Sequence, residues 1–284
     1  MTTGTLQFNA DGLGNWSEEA RFQVTRERLI EYARATNDPI EAHLAGEVAS
    51  PAFAIVPVFH SLAEPALDVV PLPLFGKILH GEQDFRFHRP IRPGDRLVAR
   101  GRMTGFQGLP NGTRACVYLE TRTEEGEPVN EQYVTFFVRG FDDGREVGEL
   151  SPEHRFPAAL REREPAVDVV QRIDEDQTFR YSPASGDPMP IHLDEEAARD
   201  AGLPGIIAHG FCVLAFTSWA ILRELGDSDT ARLKRLAVRF AKPVLPGQEL
   251  RTRIWRADGP NYAYETSVGE HAVLRDGLAV ISEN

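Results

Sequence analysis

The sequence predicts an α+β fold made of two copies of one unit, in each of which an antiparallel sheet wraps a long helix. Two observations predict the duplication. Residues 86–97 and 239–250 share Arg, Phe, Pro, Pro-Gly and Leu in the same order, 153 positions apart. Upstream, Asp38 and Asp187 are each followed five positions later by a His, at nearly the same separation. Two matches at nearly the same spacing indicate an internal repeat of about half the chain.

The helices and strands follow from periodicity. Apolar residues on almost all sides predict a sheet-enclosed helix from Gly210 to about Leu225. Its first-half counterpart begins near Ala52, and Pro57 and Pro65 predict that it is shorter or kinked. Alternating and β-branched residues, with Pro-Gly turns, predict four strands per half: 76–89, 95–107, 113–123 and 130–141, then 233–242, 248–257, 260–270 and 272–281.

These elements divide the chain into a first repeat at 1–142, a charged and Pro-bearing linker at 143–174, and a second repeat at 175–284. A long helix cradled by an antiparallel sheet is the hot-dog arrangement. Two of them in one chain predict a double hot dog.

Composition excludes several classes of protein. With 31 Lys and Arg against 43 Asp and Glu, the net charge of −12 argues against nucleic acid as the main partner. Only Cys116 and Cys212 are present, which excludes a disulfide scaffold and fits a cytoplasmic location. The apolar run 205–222 contains polar residues and precedes a charged pair, so it predicts a buried helix and no membrane association. The eight histidines show no metal-ligand spacing, and no metal is expected.

The strongest chemical signal is the segment 181–192 together with the start of the second-half helix. Asp187 and His192 lie on a Pro-containing loop that can direct both side chains at one point. A carboxylate beside an imidazole can bind water and exchange protons with it near neutral pH. Gly210 opens the helix, where a free backbone N–H can receive an oxyanion.

This segment resembles the hydratase-2 motif of the MaoC-like family, the (R)-specific enoyl-CoA hydratases. Residues 78–83 and 239–247 are also similar to the two-repeat members, such as the hydratase-2 portion of peroxisomal multifunctional enzyme type 2. The resemblance covers nearly the whole chain. It implies hydration of a trans-2-enoyl-CoA to a (3R)-3-hydroxyacyl-CoA in fatty-acid or sterol side-chain β-oxidation, with no cofactor.

Residue by residue, the resemblance implies that Asp187 and His192 hold and activate the water and that the Gly210 N–H binds the thioester oxygen. Tyr181 and His209 are expected to line the pocket or to pack beside it. Two basic residues, Arg239 and Lys242, lie in the family-like stretch and suit the phosphates of an acyl-CoA. Because hot-dog units commonly associate, a homodimer is also expected.

Some alternatives stay open. Met189 replaces the usual Asn of the motif, which leaves room for a catalytically silent acyl-CoA-binding subunit. A hot-dog thioesterase or a hydroxyacyl dehydratase is the other alternative. The first-half pair, Asp38 and His43, is interpreted as a structural remnant rather than a second working site, because its loop is shorter and Pro51 stands where His209 precedes the helix. The length and bulk of the acyl group are not determined.

Overall fold

The computed structural model describes residues 6–283 and confirms the duplicated α+β fold. The helices are α1 (Arg26–Ala35), α2 (Glu41–Leu44), α3 (Phe59–Val69), α4 (Gln177–Ser185), α5 (Glu195–Asp200) and α6 (Gly210–Leu225). The strands are β1 (Ala20–Gln23), β2 (Ile78–Phe87), β3 (Arg96–Leu109), β4 (Gly112–Thr123), β5 (Pro128–Arg139), β6 (Glu146–Gly148), β7 (Val167–Arg172), β8 (Leu233–Phe240), β9 (Glu249–Arg256), β10 (Asn261–Val268) and β11 (His271–Ile281).

All the strands belong to one antiparallel sheet in the order β1-β3-β4-β5-β2-β8-β11-β10-β9-β7, with β6 paired to β3. The first five strands of this order correspond one by one to the last five in reverse. At the centre, β2 and β8 pair antiparallel with Asp84 opposite Ala237. These two positions are equivalent in the repeat, so an approximate twofold axis passes between them. The prediction of a double hot dog is confirmed.

The helix that the second half wraps is α6, and its residues 211–222 are all buried. In the first half the corresponding path is divided into a 3₁₀ turn, Pro51–Ile55, and the shorter α3, which contains Pro65. The sequence prediction of a shorter, interrupted helix is therefore confirmed. Trp219 ties α6 to the first half, because its indole Nε1–H donates to the Thr36 carbonyl over 3.1 Å.

The segment 143–174, predicted as a linker, contributes strands to both halves. Its β6 extends the first half beside β3, and its β7 forms the outer strand of the second half beside β9. The outward-facing residues of β7 include Asp168, which pairs with Arg251, so the charge that suggested a linker belongs to an edge strand.

Within the part of the chain described, each helix is too short or too polar to cross a bilayer.

Candidate active site

Asp187, His192 and His209 form a compact cluster at the end of α4. One ligand atom from each side chain lies within 4.8 Å of the others. The chain reaches this point through Gly186, whose φ of 78° ends α4 in the left-handed conformation that glycine adopts without strain. The Met189 N–H then donates to Asp187 Oδ1 over 3.1 Å and fixes the carboxylate at the start of the loop. The sequence prediction that this loop brings Asp187 and His192 together agrees with the geometry.

The orientation of the His192 ring follows from a hydrogen bond between the ring and a backbone carbonyl. Its Nδ1 lies 2.8 Å from the Ile207 carbonyl oxygen and must therefore carry the proton, which leaves Nε2 as the acceptor. Burial lowers the pKa of His192, against the opposing effects of that hydrogen bond and of the Asp187 charge. A neutral imidazole with a free lone pair is the form that can accept a proton from water.

His209 packs against the His192 imidazole, and Tyr181 packs against His209. The His209 ring stacks on His192 with centroids 3.8 Å apart, and its Nε2 lies 3.3 Å from the Asp187 carbonyl oxygen. Burial and the neighbouring His192 lower the pKa of His209 to about 3, so it stays neutral at physiological pH. The ring centroids of Tyr181 and His209 are 4.9 Å apart. The buried Tyr181 hydroxyl forms a hydrogen bond of 3.2 Å with the Tyr32 hydroxyl. The Tyr181 hydroxyl is thus directed at Tyr32.

Gly210 places a backbone N–H beside the same cluster. It is the first residue of α6 and is exposed, and the N–H at this position has no acceptor inside the helix. The positive end of the helix dipole lies at this terminus. The Phe240 ring lies directly against Gly210, because a Cβ there would be 3.2 Å from it. The arrangement can stabilise negative charge on a substrate oxygen.

The structure separates the two basic residues expected to bind phosphate. The guanidinium of Arg239 pairs with Glu82 at 2.6 Å, on the face of β8 opposite to Phe240. Successive residues of a strand face opposite sides, so Arg239 is not brought to the Asp187 cluster. Lys242 is exposed in the segment that follows β8. This segment is hydrogen-bonded to the loop that leads to α6, because the Ala208 N–H donates to the Val244 carbonyl. Lys242 stays the better candidate for a phosphate contact.

Asp187, His192 and His209 also form a donor set that suits a divalent metal, two imidazoles and one carboxylate. The expectations that the site needs neither metal nor cofactor stay predictions.

The first-half pair is arranged differently. His43 Nδ1 lies 2.7 Å from Asp38 Oδ2, and His43 Nε2 lies 2.6 Å from Thr230 Oγ1, a residue of the second half. The side chains of Asp38 and His43 are fully buried. We name these three residues the buried relay. Because Thr230 takes the nitrogen that is free in His192, the relay has no position for a substrate water.

The backbone hydrogen bonds also show which residue of the first half corresponds to Gly210. Ala49 N–H donates to the Ile91 carbonyl as Ala208 N–H donates to that of Val244, so Pro51 corresponds to Gly210 and Ser50 to His209. The sequence alone aligns Pro51 with His209, and the backbone hydrogen bonds correct this alignment by one residue. Proline has no N–H, so the first half lacks an oxyanion donor at this position.

Sequence reasoning missed Thr230 and Tyr32. A signal for Tyr32 was present, because it precedes Tyr181 by the same separation as the two Asp–His pairs. No such signal existed for Thr230, whose contact with His43 spans 187 positions and depends on how the halves pack.

Known proteins resemble this chain in both halves. A family model described as MaoC like domain matches residues 157–276, and one described as FAS1-like, dehydratase domain region, matches residues 12–132. The chain is 29% identical to "Probable enoyl-CoA hydratase 2" of Dictyostelium discoideum, covering 72% of this chain and 70% of the relative. It is 33% identical to "3-hydroxyacyl-thioester dehydratase Y" of Mycobacterium tuberculosis, covering 70% of this chain and 71% of the relative.

Among solved structures, a MaoC-like dehydratase from Phytophthora capsici superposes with a TM-score of 0.84 at 24% identity, covering 97% of this chain and 98% of the other. This likeness shows the shared fold, and the sequence identities above show the relationship. The chain therefore belongs to the MaoC-like dehydratase family, in a two-repeat form related to enoyl-CoA hydratase 2.

Proposed function

We propose that the chain is an (R)-specific enoyl-CoA hydratase, which adds water reversibly to a trans-2-enoyl-CoA to give a (3R)-3-hydroxyacyl-CoA. The observation that carries this proposal is the Asp187–His192 pair beside the open N-terminus of α6. Relatives named enoyl-CoA hydratase 2 and 3-hydroxyacyl-thioester dehydratase support the reaction in its two directions.

Each residue of the site has one role in the hydration. Conjugation with the thioester makes the β-carbon electrophilic, and Asp187 and neutral His192 hold the water that attacks it. The water proton passes to this pair as the C–O bond forms, and the electron pair of the double bond moves toward the thioester oxygen. The Gly210 N–H receives that developing oxyanion. A proton from the Asp187–His192 pair then goes to the α-carbon, which balances the addition.

The test of the function is a pair of assays on the full chain. Loss of enoyl absorbance with crotonyl-CoA and with a long-chain trans-2-enoyl-CoA, without release of free thiol, is the expected result. Chiral analysis should identify the (3R)-alcohol. Release of thiol would favour a thioesterase instead, and wild-type protein that binds these thioesters without converting them would favour a silent binding subunit.

Gly210→Pro is expected to lower kcat about 10²–10³-fold, because it removes one oxyanion donor while keeping a residue favoured at the first helical position. The preceding His209 has φ −59° and ψ 132°, a conformation compatible with a following proline. Gly210→Ala is the matched control, since it adds the same Cβ beside Phe240 but keeps the N–H. Equal kcat values for the two variants would exclude the Gly210 N–H from the reaction.

We further propose a cytoplasmic location and a homodimer. Both cysteines, Cys116 and Cys212, are free and buried, which suits a reducing compartment. Gel filtration with light scattering of the full chain measures the assembly.

A further inference from the structure

His80 lies on β2 in the first half, yet its ring packs at the catalytic end of α6 in the second half. Its centroid is 4.9 Å from that of Phe211 and 5.0 Å from that of Phe240, both in edge-on contacts. Phe211 directly follows Gly210, and Phe240 lies against Gly210 itself. We name His80, Phe211 and Phe240 the aromatic bracket. It lies at the first turn of α6, where the oxyanion donor is.

A β-bulge directs His80 to this position. The register between β2 and β5 shifts between His80 and Glu82, so Gly81 is an extra residue in the strand. In a regular strand His80 and Glu82 would share a face. Here Glu82 faces the outer side and pairs with Arg239, whereas His80 faces α6. Bulges are found next to active sites because they redirect a side chain in this way.

The His80 ring is also held at its polar edge. Its Nε2 lies 3.1 Å from the Glu82 carbonyl oxygen and donates to it. Burial lowers the pKa of His80 to about 4 against the effect of this hydrogen bond, so the ring is neutral at physiological pH. A neutral ring fixed at one end does not compete with His192 for protons. It can act on the site only through its contacts.

The fold itself does not require a histidine at this position. By the repeat spacing His80 corresponds to Leu233 on β8, which is buried and occupies the equivalent place in the other half. A leucine therefore suits the strand and the core. The bulge is common to both halves, because the register of β8 against β11 also shifts between Leu233 and Arg235. Only the histidine is particular to the catalytic side.

We propose that His80 is a positioning residue, through which the first half fixes the Gly210 N–H of the second half. This inference rests on the proposed hydratase function for its kinetic effect. The expected loss of rate follows from the cost of misplacing a reacting group. A displacement of about 1 Å can reduce a rate by about 10²-fold.

His80→Leu is the direct test, because it installs the residue that the other half uses. We expect kcat for enoyl-CoA hydration to fall about tenfold or more, with KM and Tm changing little. His80→Phe keeps the edge-on ring contacts and should retain most of kcat. His88→Leu, the same exchange at an exposed position beyond β2, is the matched control and should match wild type. The pH profile of His80→Phe should also match wild type, whereas a proton-transferring His80 would alter it.

A second readout does not depend on activity. The sequence contains two His-Gly pairs, 80–81 and 209–210, so protein labelled with carbonyl-¹³C histidine and ¹⁵N glycine shows two selected amide signals. His80→Leu leaves only the signal of Gly210, which assigns it. We expect this signal to shift and to exchange faster with solvent in His80→Leu, and to stay near its wild-type position in His80→Phe.

The kinetic and the NMR readouts distinguish failure of the proposed hydratase function from failure of the positioning role of His80. Inactive wild-type protein with a shifted Gly210 signal in His80→Leu would reject the hydratase function and retain the positioning role. A wild-type Gly210 signal and unchanged kcat in His80→Leu would overturn the inference. If His80→Leu does not fold, His80→Gln makes the same comparison, because it keeps a donor for the Glu82 carbonyl but removes the ring.

Discussion

Asp187→Asn is expected to lower kcat for crotonyl-CoA hydration by about 10²–10⁴-fold, the usual contribution of a positioned acid–base group. The substitution keeps the shape of the side chain and its acceptor for the Met189 N–H, but it removes the negative charge that faces His192. The water then loses the carboxylate of the Asp187–His192 pair, and a proton taken up by His192 is no longer stabilised by a neighbouring negative charge. The fall in enoyl absorbance at saturating substrate measures the effect.

The control for this prediction is the Tm of the Asp187→Asn variant. Asp187 is half-exposed, so Asp187→Asn should change the Tm by little, and the loss of rate is then a loss of chemistry. His192→Gln should give a comparable loss of kcat. Hydration that survives both substitutions would move the reaction away from this loop, and the buried relay would then have to be reconsidered.

The juxtaposition of Asp187 and His192 could be predicted because the two residues are close in the sequence. Asp187 and His192 are five positions apart, and Gly210 begins a helix that apolar periodicity indicates. The strands were predictable for the same reason, since alternation is a local pattern. In contrast, β7 presents charged residues on its outer face as an edge strand, and this local pattern is also typical of a linker.

The placement of Arg239 and Thr230 depends on distant contacts. Arg239 faces away from the site because Phe240 faces α6, and the choice between these two faces is set by the register of β8 against β2. Thr230 reaches His43 only because the two halves are related by the axis between β2 and β8. Neither fact has a local signature, so sequence reasoning could not supply it.

The two Asp–His loops are equivalent in the repeat but differ in their contacts. Tyr32 and Tyr181, equivalent in the repeat, meet through their hydroxyls, which brings both loops to one junction. In the second half, the imidazole nitrogen that faces the site is free and a glycine N–H lies beside it. In the first half the corresponding nitrogen is taken by Thr230, and Pro51 replaces the donor. These contacts favour the interpretation of Asp38 and His43 as a structural pair.

Asp38→Ala is accordingly expected to destabilise the protein by about 3 kcal/mol, because it leaves buried polar partners unpaired. Asp38 accepts from His43 and, through its other oxygen, from the Ile40 N–H over 3.0 Å, so both lose their acceptor together. The expected fall in Tm is roughly 5–10 °C in a chain of this size, measured by thermal unfolding. At a temperature where the variant is folded, kcat should match wild type.

Thr230→Val tests the same relay with a side chain of nearly the same shape. It removes only the hydroxyl bonded to His43 Nε2 and should cost about 1–2 kcal/mol. Asp187→Ala, the equivalent change to Asp38→Ala in the other half, should show the reverse behaviour, with kcat lost and Tm nearly retained. If Asp38→Ala instead removed activity while the Tm stayed unchanged, the first half would hold a working site, and the structural interpretation of the buried relay would be wrong.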